Sequence, residues 1–400
     1  MASILRRLAW PSRTWKPLVF PNINKFRRIP PEEKLEEELL PGYVASGDRY
    51  QIVGKLGFGT TSTVWLARDL SHCRHVALKV FIHSQSLGAQ VDHELSVYQR
   101  ISTASKRHPG RASVRELLDS FQLAGPDGCH RCLVHPPLWE SVLAFLHRNP
   151  VRRLRPTVLA VVLRRLFLAL DFLHKECKII HTDIKADNIM FGIEDDSVFS
   201  AFEEQELHEP SARKIVDGDR VIYESRELQM PKKWGPPVLC DFGSAVSGDV
   251  EHTEDVQPDI YRAPEVILEA PWSYEIDIWN AGCMVWDLFE GGHLFTGCDP
   301  EHQTYRSRAH LAEIMALLGP PPQALLRLGK SSHKFFTDTG ELLPSIPVPD
   351  IVSLEQRETS LQGEGKERFL TMMGQTLQWE AAKRSSARAL AENEWLMSYM

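Results

Sequence analysis

Residues 179–191 read IIHTDIKADNIMF, a polar centre set between apolar flanks. Such a centre is costly when strand-like apolar runs carry it inward, unless its groups are hydrogen-bonded or put to use. Asp183 is suited to accept a proton from an incoming hydroxyl, and Asn188, five residues on, can offer an amide oxygen to a metal. A second acid, Asp241 in VLCDFGSAV, again follows an apolar strand and precedes a glycine. Its hard carboxylate oxygens suit magnesium.

Upstream, positions 54–70 read GKLGFGTTSTVWLARDL. The runs YQIVGKL, STVWLARDL and HVALKVFI are rich in β-branched and aromatic residues and are separated by turn residues, the pattern of an antiparallel meander. Gly57 and Gly59 sit at its first bend, where the missing β-carbon lets backbone N–H groups approach an anion. They match two positions of a GxGxxG turn, but Ser62 stands at the third, and a plain hairpin accounts for two glycines equally well. VALKV places Lys79 on the third strand, and the helix-like QVDHELSVYQRI offers Glu94 as its anionic partner.

The chain has 400 residues, 43% hydrophobic and 25% charged, enough for a large core or two lobes. Arg164 and Arg165 interrupt VLAVVLRRLFLALDFL, so no apolar run approaches the roughly 20 residues of a membrane span. Its apolar positions recur at helical spacing, with the two arginines expected on the solvated side. The seven cysteines lack the density of a secreted disulfide framework, which points to a reducing compartment. Cys129 and Cys132 form a CxxC without a second ligand pair at suitable spacing and read as strand residues. A net charge of -7 gives no bias toward nucleic acid or an anionic membrane. The first 29 residues hold seven Arg or Lys and no acid, a composition shared by mitochondrial transit segments and by flexible basic arms. Prolines 11, 17 and 21 break an amphipathic helix there, and PPEEKLEEELLPG then reads as an acidic linker.

The order of GFGTTSTV, VALKV, the helix glutamate, HTDIKADN, DFG, YRAPE and DIWNAG resembles the eukaryotic protein kinases over residues 48–397. The resemblance implies an α+β fold with two lobes, ATP and Mg2+ as cofactors, and transfer of the γ-phosphate to protein Ser or Thr hydroxyls. It assigns the glycine turn, with Leu56, Gly57, Phe58 and Gly59, to the nucleotide. Lys79 and Glu94 become an ion pair serving the phosphates, Asp183 the catalytic base, Lys185 the lysine that steadies the transferred group, and Asn188 and Asp241 the metal ligands. Glu265 of YRAPE is expected to pair with Arg384 inside the large lobe. If CHRCLVHPPLWES runs into the hinge, His135 takes the gatekeeper position, Pro136 offers a carbonyl and Leu138 an N–H to the adenine edge, and Val64, Ala77 and Leu138 enclose the base. Proline is harmless at both of its positions there.

Within the kinases, KLGFGTTSTVWLARDL, HTDIKADNIM, DIYRAPEVIL and SYEIDIWNAGCMVWDLFEG are similar to the SR-protein kinases, especially fungal ones, with Thr182 in place of the usual arginine the most telling feature. That likeness implies Arg/Ser-rich, splicing-type protein substrates, a monomer without direct nucleic-acid or membrane contact, and a cytoplasmic or nuclear setting, with mitochondrial import of the basic N-terminus left open. Two alternatives stay open: a pseudokinase scaffold, and a kinase of the wider group with a substrate not rich in Arg and Ser. The expected layout is an arm and linker over 1–47, a small lobe over 48–137 and a large lobe over 138–400. An insert of mixed, net acidic character over about 192–235 is expected as a partly ordered surface excursion. Without a basic partner at Thr182, activity is expected to need no phosphate on the segment from Asp241 to Glu265.

Overall fold

The computed structural model describes residues 15–20, 44–82, 88–125, 128–216, 220–346, 348–350 and 352–400. The acidic linker and most of the basic arm lie outside them. The described chain forms two compact units. The first takes in residues of 1–92, 116–139 and 193–233, and the second takes in 93–115, 140–192 and 234–400.

In the first unit the β-branched and aromatic runs become strands β1 (Val44–Ala45), β2 (Tyr50–Phe58), β3 (Ser62–Asp69), β4 (Arg74–Phe81), β5 (Asp119–Gly125) and β6 (Gly128–His135). They pair antiparallel in the order β1-β2-β3-β4-β6-β5. Alternation along the strands gives the sheet two distinct faces. One carries Ile52, Trp65, Ala67, Val76, Leu78 and Val134 in a single buried cluster. Cys132 packs there too, its thiol pushed up by burial, so the CxxC is split between a buried and an exposed cysteine.

The insert differs from the expected surface excursion of the large lobe, because it belongs to the first unit and packs into it. Its helix, α4 (Ser197–His208), buries Val198, Phe199, Phe202 and Glu206. Its hairpin, β9 (Arg213–Val216) with β10 (Arg220–Tyr223), delivers Tyr223 into the apolar cluster, edge-on to Trp65 at 6.0 Å between ring centroids. A β-carbon on Gly54 would lie 2.8 Å from the Phe202 ring, so only glycine lets α4 approach β2 this closely. Lys55 is buried, and its ammonium donates to the Tyr223 carbonyl at 3.1 Å while Arg226 N–H donates to the Lys55 carbonyl. Net polarity misled the sequence reading, since the few aromatic residues of the insert decide where it packs.

The second unit is mainly helical. Helix α1 (Gly88–Thr103) contributes its residues from His93 onward, followed by α2 (Val142–Arg148) and α3 (Pro156–Phe172). Pro156 opens α3, where its fixed φ and missing N–H cost nothing. Arg165 is half-buried rather than fully solvated: it donates to the carbonyls of Ala112 and Pro237, and burial lowers its pKa. Short strands β7 (Ile179–Ile180) and β12 (Val246–Ser247) pair, as do β8 (Ile189–Ile193) and β11 (Trp234–Leu239). After the single turn α5 (Pro264–Ile267), helix α6 (Glu275–Glu290) is buried almost all round, as expected of a core helix, and ends on Gly291 at φ +75°. No helix of the described residues is long and apolar enough to cross a membrane.

Candidate active site

In the second unit the polar centre lies between β7 and β8, held from behind by α6. The Asp277 carboxylate, fully buried, accepts the N–H of His181 and of Thr182, each at 2.8 Å, and also pairs with the His174 ring at 2.9 Å. Asn280, one turn on, accepts the Ile184 N–H at 3.0 Å and donates to the Ile184 carbonyl at 2.5 Å. Two polar side chains of α6 thus satisfy a loop that would otherwise bury unpaired amides. DIWNAG carries both residues, but nothing in its spacing says which backbone they serve.

The loop presents Asp183 half-buried. Its Oδ2 accepts from Lys185 Nζ at 2.7 Å and from Asn188 Nδ2 at 2.9 Å, so three of the anticipated residues meet on one carboxylate. Asn188 Nδ2 also donates to the Asp183 carbonyl, and the amide oxygen takes part in neither bond. The Cys240 N–H donates to the Asn188 carbonyl at 2.7 Å, which places Asp241 beside Asn188. Asp241 is exposed and sits at φ +63°. Two oxygen-bearing side chains of this kind fit a hard divalent cation. Phe242 is fully buried, edge-on to Tyr98 and to His181, each at 5.2 Å. Glu94 lies on α1, one turn before Tyr98, and is buried; burial and the Glu94 carboxylate hold the Tyr98 hydroxyl well above its usual range.

A cleft of about 370 Å³ opens over this loop, lined by Thr182, Asp183, Lys185, Ser244, Asp255, Val256, Gln257 and Pro258. Its rim is held by Arg262, which reaches the carboxylates of Asp255 and Asp259 and the carbonyl of Val256. Gln257 adopts φ +74°, with its amide bonded to the Ile276 carbonyl and the Ala263 N–H. Glu265 and Arg384 form the anticipated buried pair, bidentate at 2.5 and 2.7 Å, with Arg384 over the Trp279 ring.

The remaining anticipated residues lie in the first unit. Leu56, Gly57 and Phe58 end β2, with Gly57 paired to Val64 and Phe58 to Thr63 before the turn at Gly59. Val64 pairs with Lys79, Leu66 with Ala77, and Ala77 with His135, so Val64, Ala77 and Lys79 share one face of the sheet. His135 closes β6 with its ring bonded to the Glu116 carbonyl, and Pro136 and Leu138 follow.

A family model described as the protein kinase domain matches residues 50–215 and 228–396. A serine/threonine protein kinase of Aspergillus fumigatus is 40% identical over all of this chain and 98% of its own length. The serine/threonine-protein kinase SRPK of Physarum polycephalum is 31% identical, covering 87% of this chain and 85% of its own. The protein kinase dsk1 of Schizosaccharomyces pombe is 26% identical over 87% of this chain. A crystal structure of a kinase domain superposes with a TM-score of 0.68 over 90% of this chain at 20% identity, a likeness of fold. The chain belongs to the protein kinase family and is a serine/threonine protein kinase of the SR-protein-kinase-like group.

Proposed function

We propose that the protein transfers the γ-phosphoryl group of ATP, with magnesium, to serine hydroxyls flanked by arginine in protein substrates. The observation that carries the chemistry is the convergence of Lys185 and Asn188 on Asp183 Oδ2. Phosphoryl transfer asks the protein mainly for position and charge. Asp183 orients the incoming hydroxyl and takes its proton, while Lys185, already beside that carboxylate, steadies the transferred group. Lys79 and the turn at Gly57 and Gly59 serve the nucleotide phosphates, and Pro136 and Leu138 the adenine edge. Magnesium held by Asn188 and Asp241 would neutralise charge on the phosphate oxygens. This complete set favours an active enzyme over a scaffold.

Preference for arginine is supported by charge at the cleft. Asp255 lines it, and Asp255 and Asp259 keep 74% and 58% of their side chains exposed while held by Arg262. Carboxylates fixed in this way favour a basic peptide and disfavour an acidic one. The SRPK name of a relative accords with that reading. Incubation with labelled ATP, magnesium and a degenerate peptide library tests both parts. Labelling enriched for arginine beside serine supports the proposal. Labelling without that enrichment favours a kinase with another substrate, and ATP binding without transfer favours a scaffold.

A further inference from the structure

On the face of the sheet that also bears Val64, Ala77 and Lys79, three polar residues stand in register on adjacent strands. Gln51 of β2 pairs with Arg68 of β3, and Arg68 with His75 of β4. A buried polar row across a sheet is expensive without partners. Gln51 is 1% exposed and Arg68 9%.

The partners come from the short N-terminal stretch Trp15–Phe20. The Gln51 amide reads the backbone of Leu18 twice: its Oε1 accepts the Leu18 N–H and its Nε2 donates to the Leu18 carbonyl, both at 2.8 Å. Arg68 donates to the Lys16 carbonyl at 3.2 Å and stacks over the Trp15 ring at 4.5 Å. The Trp15 N–H donates to the Leu70 carbonyl. The Trp15 ring meets the His75 ring at 5.1 Å, and His75 meets Phe199 of α4 on its other side at 4.9 Å. Glu203 of α4 is hydrogen-bonded to His75 at 2.8 Å and ion-paired with Arg68 at 3.2 Å. The same two sheet residues therefore hold the N-terminal segment and the insert helix at once.

We infer that the Gln51, Arg68 and His75 row is a recognition site for an extended peptide, that its ligand is this chain's own Trp15-Lys16-Pro17-Leu18 segment, and that occupancy of the site fastens α4 to the sheet. Main-chain reading by Gln51 supplies affinity and the Trp15 ring between Arg68 and His75 supplies selectivity, the division of labour usual in strand-like peptide recognition. The segment lies outside the kinase-family match, which begins at residue 50, whereas Gln51, Arg68 and His75 lie inside it. Processing of the basic N-terminus beyond residue 20 would empty it.

The full chain carrying Trp15→Ala and Leu18→Pro tests this. Proline removes the N–H that Gln51 accepts, and both changes lie in the segment rather than in the sheet. Two effects are expected. Amide exchange across 197–208 rises about tenfold, the equivalent of one or two lost hydrogen bonds. A labelled acetyl-WKPLVF-amide peptide binds the variant about tenfold more tightly than it binds wild type, whose own segment blocks the site, and its binding restores the slow exchange. Leu18→Pro alone, which keeps Trp15, is expected to show the same changes in smaller degree. Unchanged exchange in both variants, equal peptide binding to variant and wild type, or equal binding of a scrambled peptide would overturn the inference. None of these readouts requires phosphoryl transfer, so failure here leaves the proposed reaction standing.

Discussion

The Thr182 hydroxyl donates to the Ser244 carbonyl at 2.8 Å. This neutral bond sits where many kinases place an arginine that grips an activating phosphate. Thr182 is buried at φ +66°, and its hydroxyl proton goes to backbone. The rest of the segment is held by unmodified groups. The His93 ring bonds the Ala245 carbonyl at 2.6 Å, and Arg100 bonds Ser247 Oγ at 3.1 Å and the Asp249 carboxylate. The His252 ring stacks on Trp272 at 4.5 Å and bonds the Ser247 carbonyl. A β-carbon on Gly248 would lie 2.2 Å from the Tyr274 ring, so any larger residue there must displace that ring.

Replacing Ser244, Ser247 and Thr253 together by alanine is therefore expected to keep kcat/KM within about fivefold of wild type, under roughly 1 kcal/mol. Arg100→Ala is expected to cost more than the triple variant, because it releases the segment from α1. Steady-state rates on protein expressed in a host without such kinases and treated with phosphatase decide the matter. A loss of a hundredfold or more, reversed by phosphorylating wild type, would show that a phosphate latch exists.

Asp183→Asn keeps the shape of the side chain and removes its charge. Transfer should fall by at least about 10²- to 10⁴-fold, the usual contribution of a positioned base. Nucleotide affinity should stay near wild type, since the proposed ATP contacts lie elsewhere. Single-turnover transfer and nucleotide titration separate the two effects, and undiminished transfer in the variant would refute the role given to Asp183.

Arg384→Met leaves the Glu265 carboxylate buried without its bidentate partner. Breaking a buried pair from one side typically costs about 3 to 5 kcal/mol. Urea denaturation should show an unfolding free energy lowered by that amount, read as a lower midpoint at unchanged slope. A much smaller shift would mean that Glu265 finds water or another donor.

His310 is fully buried, with Nδ1 3.1 Å from the Tyr305 hydroxyl. Burial, reinforced by the positive charge of Arg262, lowers its pKa from 6.5 to about 3. The unfolded state therefore binds the proton first. The stabilising contribution is whole above pH 6.5 and is lost as pH falls toward 3, with a slope of about 1.4 kcal/mol per pH unit. His310→Gln, which can still accept from Tyr305, should flatten unfolding stability against pH across that window. An unchanged slope would place the acid sensitivity elsewhere.

The polar cluster of the loop was legible in sequence because it rests on residue types at short separations. Asp183, Lys185 and Asn188 fall within six positions, and their meeting on one carboxylate follows from a single turn of backbone. Glu265 and Arg384 were also matched, through the family's motif order rather than any local signal. The hold of Asp277 and Asn280 on that loop was not readable, since about 95 residues separate them from His181, Thr182 and Ile184 and only the packing of α6 brings them there. Arg165 was misread for the same reason, because its two carbonyl acceptors come from distant segments.

By itself the sequence determined the fold class, because strand pattern and the order of the motifs along the chain survive without knowledge of the packing. Tertiary structure alone decided where the insert and the N-terminal stretch go. Tyr223, Phe199 and Phe202 are scattered through a charge-rich insert and Trp15 lies in a basic arm, and their positions follow from the apolar and aromatic surface that the sheet offers once folded. Burial of a few rings outweighs the mean character of the segment that carries them.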